Sequence, residues 1–356
     1  MRFIKRTNYL QDIRFFRFKS TAVWYGLLML VLIGAPLKAG TYWTSLLTLA
    51  AIYAIVALGM NILTGYAGQI SMGHAAFFAV GAYTTAFLGD KGVSFWFALP
   101  AGAFLSALLG IFIGLPALRM KGLYLAIATM GFGFIMEQVI HSWEYVTNGV
   151  NGRQLVRPHL GPIDFRSDTS YFYLVLFILV VVILITKNLL RTPTGRALCA
   201  VRDSEPAAES MGINLAVYKT TAFAVSAFYT GIAGALFACH MQFIGPENFD
   251  VIVSINFLIM IIIGGLGSIH GSIYGAIFIT FLPELIALAK DYLPPAIAGQ
   301  VGLQGTIYGV LLVVFILFEP MGIYGRWLKV RFFFEMFPFY KRDTFKRTRK
   351  FTKSAQ

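Results

Sequence analysis

Apolar runs separated by short polar breaks recur along the whole chain, at 22–37, 42–64, 70–88, 95–118, 122–141, 171–189, 219–240, 251–268, 271–290 and 302–319. A helix needs about 20 predominantly apolar residues to cross a ~30 Å hydrocarbon layer. In that layer no water satisfies an open backbone, so each such run is expected to be helical. The pattern predicts an all-α, polytopic membrane protein with about ten transmembrane helices. The first run is the shortest and the softest member of the set. Residues 1–37 have the basic start and the small residues near Ala39-Gly40 of a signal peptide. The basic stretch is longer than such peptides carry, so an uncleaved anchor is the expectation.

Two polar segments divide the pattern. Residues 142–170 are expected to form a long external loop, with turn signals at Asn148-Gly149 and Asn151-Gly152. Residues 190–218 form the longest expected internal loop. The spans then fall into a first half, 22–141, and a second half, 171–319, flanked by basic segments 1–21 and 320–356. Five is odd, so related halves would lie in opposite orientation, an inverted repeat common among transporters. Gly65-Tyr-Ala-Gly68-Gln69-Ile-Ser71-Met-Gly73-His74 opens the third span of the first half. Gly264-Gly265-Leu-Gly267-Ser268-Ile-His270-Gly271 closes the third span of the second. Matched glycine-interrupted segments are the best sequence pointer to a substrate path.

Composition agrees with this picture, and charge orients it. Of 356 residues, 58% are hydrophobic and 13% charged, against about 25% charged in soluble domains. The net charge of +13 could signal nucleic acid. However, with the N-terminus inside, 23 of the 29 Lys and Arg fall on the inner face and only Lys38, Lys91, Arg153, Arg157, Arg166 and Lys290 fall outside. The positive-inside rule thus places both termini in the cytoplasm, and the basic tails meet anionic lipid rather than nucleic acid. Cys199 and Cys239 are expected on opposite faces, which excludes a disulfide between them.

Candidate chemistry is sparse. Ser71 is a suitable N-cap for a helix from about Met72 to Leu88, whose free N–H groups would suit a carboxylate. Small residues with Ser and His equally suit tight helix packing, and for His74 and His270 singly packing or capping is the better reading. In the internal loop, Gly195 would open one short helix, with Arg196 in its first turn. Asp203 or Ser204 would cap a second, with Pro206 early and Gly212 at its end. A short helix held off the membrane suits docking to another protein; a solvated charged loop is the plainer alternative. Glu137 and Glu284 are the two carboxylates away from span ends, too few for a proton relay. No P-loop, metal-spaced His cluster or nucleophile elbow occurs, so neither a cofactor nor a metal is expected. An ion-coupled transporter and a membrane enzyme or scaffold remain competing classes, and both lack the residues they need.

Several of these segments together resemble one family. Gly65-Tyr-Ala-Gly-Gln-Ile-Ser-Met-Gly-His-Ala-Ala-Phe-Phe-Ala-Val-Gly-Ala-Tyr83 is similar to the signature of the branched-chain amino-acid permeases of bacterial ABC importers. Thr194-Gly-Arg-Ala-Leu198 through Ala207-Ala208 to Gly212 resembles the family's coupling segment, with Pro206 where a Glu usually stands and Glu205 adjacent. Thr147–Gly152 resembles its external turn, Gly264–Gly271 its second membrane motif, and Phe318-Glu-Pro-Met-Gly-Ile323 its C-terminal end. The basic tail with Phe337-Pro-Phe-Tyr340 is similar to that of the family's M-type subunits.

The resemblance implies a subunit of a bacterial inner-membrane importer, itself not an enzyme. Its expected partners are an H-type second permease, two cytoplasmic ATPases and a periplasmic binding protein. It further implies a translocation path along Gly65, Gly68, Gln69, Ser71, Gly73, His74, Gly264, Gly265, Gly267 and Ser268. ATPase coupling would fall to Gly195, Arg196, Glu205, Pro206, Ala207, Ala208 and Gly212, and binding-protein docking to Asn148, Gly149, Asn151 and Gly152. Leucine, isoleucine and valine are the implied solutes; urea, short amides or another small solute are the alternative.

Overall fold

A computed structural model describes residues 19–290, except 39, 119, 121, 161 and 162, and residues 303–336, except 319 and 320. Residues 1–18, Arg119, Lys121 and the tail motif Phe337–Tyr340 therefore lie outside the described residues. Each of the ten expected spans carries a helix. The first half holds α1 (Lys19–Lys38), α2 (Gly40–Asn61), α3 (His74–Asp90), α4 (Phe95–Ala117) and α5 (Leu123–Ser142). After the external segment come α6 (Asp168–Arg191), the short pair α7 (Pro193–Asp203) and α8 (Glu205–Ser210), then α9 (Leu215–Met241), α10 (Val251–Gly264), α11 (Ile269–Lys290), α12 (Leu303–Phe318) and α13 (Gly322–Met336). Seven spans are long and apolar enough to cross a membrane: α2 with the turn that continues it to Tyr66, α4, α5, α6, α9, α10 with the short turn Pro246–Phe249 before it (Pro246–Gly264, 19 residues), and α11. At the other three positions, α3 has 17 residues, α12 has 16, and the apolar part of α1 is Val23–Lys38.

Two helices form the centre. The apolar windows of α2 and α9 are 78% and 83% enclosed by the protein, whereas none of the other five exceeds 50%. They pack on each other, and each also packs against the opposite half: α9 against α3 and α4, α2 against α10 and α11. Small residues permit this closeness. At the α3–α9 crossing, Gly81 faces Gly231 and Gly234 faces the Phe78 carbonyl, so that a Cβ at any of the three would overlap its neighbour. Next to it the rings of Phe78, Phe237 and Phe257 meet, with centroids 5.0 Å and 5.4 Å from Phe78, which ties α3, α9 and α10 into one core.

Where helices begin and end, the structure departs from the sequence reading in three places, the first being α7, which Thr192 and Pro193 open and not Gly195. The third span starts at His74, not Met72, and its N-cap is Gly73 rather than Ser71. The Ser71 hydroxyl is instead held by the His74 ring. The eighth span stops at Gly264, short of 268, because Gly265 and Gly267 have φ of +120° and +72° and cannot continue a helix. The fold is all-α as expected, with small antiparallel ladders only in its loops among the described residues, Arg153–Gln154 with Phe243–Ile244 and His159–Leu160 with Ile163–Asp164. The first of these joins the loop after α5 to the turn after α9 by backbone bonds.

Candidate functional site

The two glycine-rich segments, some 200 residues apart in sequence, meet. α2 ends in a π-helical turn, Ile62–Tyr66, closed by Ala67 N–H donating to the Ile62 carbonyl at 3.1 Å. Such turns are rare and recur at functional sites. The chain then turns, with Gly68 at φ of +71° and Gln69 N–H donating to the Leu63 carbonyl at 3.0 Å, and reaches Gly73 without regular structure. Ala67, Gln69, Ser71 and Gly73 are buried, while Gly68 and Ile70 are exposed and Met72 is half-buried, so alternate residues of this segment are covered. Gly65 lies against the backbone of Gly267: a Cβ there would come within 2.5 Å of the Gly267 nitrogen.

Asn61 holds this junction shut. Its amide is fully buried, and its oxygen accepts from Gly267 N–H at 2.9 Å. Its nitrogen donates to the Ser268 carbonyl at 2.9 Å and the Ser272 hydroxyl at 2.8 Å. Ser268 Oγ in turn accepts from Gly271 N–H at 3.1 Å in the first turn of α11. Gly264 packs on Gly271, and Gly265 on the Met321 carbonyl and Tyr324 of α13.

The start of α3 is engaged by neighbouring helices. Met72 N–H donates to Thr129 Oγ1 of α5 at 3.0 Å, and Ala75 N–H to Ser254 Oγ of α10 at 2.8 Å. The buried His74 ring bonds Ser71 Oγ through Nδ1 at 3.1 Å and Ser226 Oγ of α9 through Nε2 at 2.7 Å. The free N–H groups expected there for a carboxylate are therefore taken, at Met72 and Ala75, by neighbouring hydroxyls. Gln69 differs: it is buried and neither atom of its amide has a hydrogen-bond partner.

Below the junction sits the helix pair of the internal loop. Ser204 caps α8, its hydroxyl accepting from Ala207 N–H at 3.4 Å, and Gly212 ends the turn with φ of +80°. Gly195 is buried against the Leu190 backbone, which sets the tight corner from α6 into α7, and Arg196 is exposed with its guanidinium donating to the Arg191 carbonyl at 3.2 Å. Pro206 and Ala207 face solvent, whereas Ala208 is buried at 3% exposure and faces the fold. Glu205 pairs with the buried Lys219 of α9 at 2.5 Å, beside an open groove of about 610 Å³ that Glu209, Asn214 and Leu215 also line. Met211, at 82% exposure, completes the outward surface of α8.

At the external turn, Asn148 has φ of 62° and donates from its amide to the Gly152 carbonyl at 2.9 Å. Gly149 and Gly152 are buried and shape the turn, while Asn148 and Asn151 border an open polar notch of about 420 Å³ with Asp90 and Gln154. Arg153 ties this turn to α3 through Asp90.

Sequence reasoning missed three residues: Asn61, Arg202 and Lys219. Asn61 sits in an apolar run, and a lone buried amide in a span is the one signal that was available. Arg202 and Lys219 look like ordinary loop charges until their partners are located.

The helices and this junction define a multi-pass helical membrane protein whose internal loop stands directly beneath paired breaks in its spans. The sequence matches the family "Branched-chain amino acid transport system / permease component" over residues 42–317. It is 33% identical to the high-affinity branched-chain amino acid transport system permease protein LivM of Escherichia coli and 32% identical to that of Salmonella typhimurium. Each alignment covers 83% of this chain and 73% of the relative. It is 24% identical to the E. coli permease protein LivH over 78% of this chain and 93% of that one. No solved structure matches. The chain belongs to the permease components of branched-chain amino acid transport systems.

Proposed function

We propose that this chain is the membrane subunit of an ATP-driven importer and conducts branched-chain amino acids delivered by a binding protein. The observation that carries the reading is the family match over 42–317, which spans both glycine-rich breaks and the loop between α6 and α9. In this reading the chain crosses the membrane ten times with both termini inside, as its charge asymmetry requires. Its halves are inverted repeats, a relation supported by the exchange of neighbours in which α9 packs on the first half and α2 on the second. Domains are the two five-span halves, 22–141 and 171–319, the external loop, and the basic ends.

The catalytic work of ATP hydrolysis then lies in two partner ATPases, and this chain supplies binding and movement. α8 offers Pro206, Ala207 and Met211 to an ATPase groove; the buried Ala208 holds α8 to the fold. Asn148 and Asn151, at the external notch, meet the binding protein. A second permease subunit closes the path, whose inner end is the Gly65–Gly267 junction. The buried, unpartnered amide of Gln69 is the polar group on that path with capacity left for a hydrogen bond.

The test is uptake by the complete complex in proteoliposomes. ATP inside is expected to drive accumulation of labelled leucine, isoleucine or valine only when binding protein is outside. Uptake that persists without ATP and collapses with a protonophore would replace this reading with an ion-coupled carrier. ATP-driven uptake of urea or short amides, with no competition by leucine, would overturn the solute.

A further inference from the structure

We infer that Arg202 is the positioning residue that transmits movement of the cytoplasmic helix pair to the two glycine-rich breaks. The inference rests on the importer reading above and adds to it the contact through which force passes. Arg202 is the penultimate residue of α7. One guanidinium nitrogen, Nη1, donates to the Gly65 carbonyl at 3.0 Å, in the π-helical turn that ends α2. The same nitrogen lies 3.3 Å from where a Cβ on Gly267 would stand, so it also abuts the second break. The aliphatic stem of Arg202 covers Gly68, whose hypothetical Cβ would lie 3.0 Å from Cγ and 3.3 Å from Cα. Nε and Nη2 donate to Asp203 at 2.9 Å and 2.8 Å, fixing the plane of the fork.

One side chain therefore touches Gly65, Gly68 and Gly267 while its own backbone belongs to the helix next to α8. All three neighbours are glycines, so the guanidinium approaches bare backbone and no intervening side chain can absorb a displacement. The planar fork of Arg can hold Asp203 with two nitrogens and Gly65 with the third; a Lys ammonium can reach one of these but cannot copy the geometry. Ser204, the cap of α8, follows at a distance of two residues. Any tilt of α8 under an ATPase thus turns the Arg202–Asp203 unit, and with it the junction that Asn61 holds shut. Glu205–Lys219 anchors the same segment to α9, which makes α9 the pivot and Arg202 the moving arm.

The experiment uses the complete complex, with partner permease, ATPases and binding protein, and reads leucine uptake and ATP hydrolysis in the same vesicles. Arg202→Ala is expected to lower the uptake per ATP hydrolysed by about tenfold, within the 5- to 150-fold range of a typical coupling term. Arg202→Lys is expected to recover part of it. A merely structural role would lower the amount of complex, uptake and hydrolysis in proportion, leaving the ratio at the wild-type value; that result overturns the inference. Should Arg202→Ala fail to assemble, the ratio is read on Arg202→Lys, and a wild-type ratio there also overturns it. A second measurement follows movement directly, with spin labels at Met211→Cys and Leu266→Cys in a background lacking the native cysteines. The distance change on adding ATP and vanadate in the otherwise unaltered complex is expected to shrink with Arg202→Lys, and an undiminished change counts against the inference. Absence of ATP-driven uptake in the wild-type complex would reject the importer reading itself, which separates the two failures.

Discussion

Under the proposed orientation, the outer and inner ends of this protein are tied together by different means. Outside, the stitch is backbone: Arg153 and Gln154 pair with Ile244 and Phe243, and Leu155 N–H donates to the Gln242 carbonyl at 2.8 Å. Inside, it is made by side chains, namely the Asn61 amide, the Arg202 guanidinium and the Glu205–Lys219 pair. A backbone ladder has one register and breaks as a unit. Side-chain bonds can be exchanged singly for water or for a second set of partners. The difference teaches how firmly each end is held: the outer stitch holds as one unit, and the inner one is built from parts that can be released singly.

Mutations can break this contrast at either face. The largest effect is expected outside, from Gly152→Val. Gly152 has φ of +66°, and an added Cβ would lie 2.5 Å from the Ile244 carbonyl, so a β-branched residue meets both strain and a clash. A loss of about 4 kcal/mol is expected, read as low membrane abundance and a lowered melting midpoint in detergent. Next is Glu205→Gln, which leaves the Lys219 ammonium, 3% exposed, without its carboxylate. About 3 kcal/mol should be lost, and Lys219→Met added to it should recover most of this, since removing both charges avoids an unpaired buried ion. No recovery in the double variant would show that the pair is not the source of the loss.

Asn61→Ala comes third. It strips the Gly267 N–H of its partner and removes one donor from the Ser268 carbonyl, which keeps the Ser272 N–H and hydroxyl, at a cost of about 2 kcal/mol. Hydrogen exchange at residues 264–272 is expected to rise while the outer ladder at 153–155 stays protected; equal loosening of both faces would erase the contrast drawn here. The smallest effect is Asp90→Asn, because that carboxylate is 48% exposed and Arg153 keeps a second bond to the Tyr145 carbonyl. A change below about 1 kcal/mol in the melting midpoint is expected, and it should shrink further at high salt.

The spans were legible because burial in lipid writes a long apolar run for each helix, and that signal needs no knowledge of neighbours. The α7–α8 pair was legible for a local reason too: Ser204, Pro206 and Gly212 are cap, first turn and stop within nine residues. Ser71 shows where local reasoning fails. A serine before an apolar helix is a good cap, but its hydroxyl here goes to His74 and the helix starts later. The inner stitch was illegible for the same cause, enlarged. Arg202 and Gly65 are 137 positions apart, and Asn61 and Ser268 are 207 apart, so nothing in the vicinity of either predicts the other. The glycines at 65, 68 and 267 were visible, but what they make room for was not: an arginine.

The length of α2 gives the inner junction a further property. With its π-helical turn this element runs from Gly40 to Tyr66, 27 residues, about 40 Å at ~1.5 Å per residue against a hydrocarbon layer of ~30 Å. Tyr42 and Trp43, both exposed, suit the interfacial aromatic belt at the opposite end. The surplus of about 10 Å then falls at the Gly65 end, and a tilt of ~20° removes only a small part of it. Arg202, whose side chain is 39% exposed, meets Gly65 within reach of water. The tie between loop and spans is thereby open to water and ions, unlike the fully buried Asn61 amide beside it.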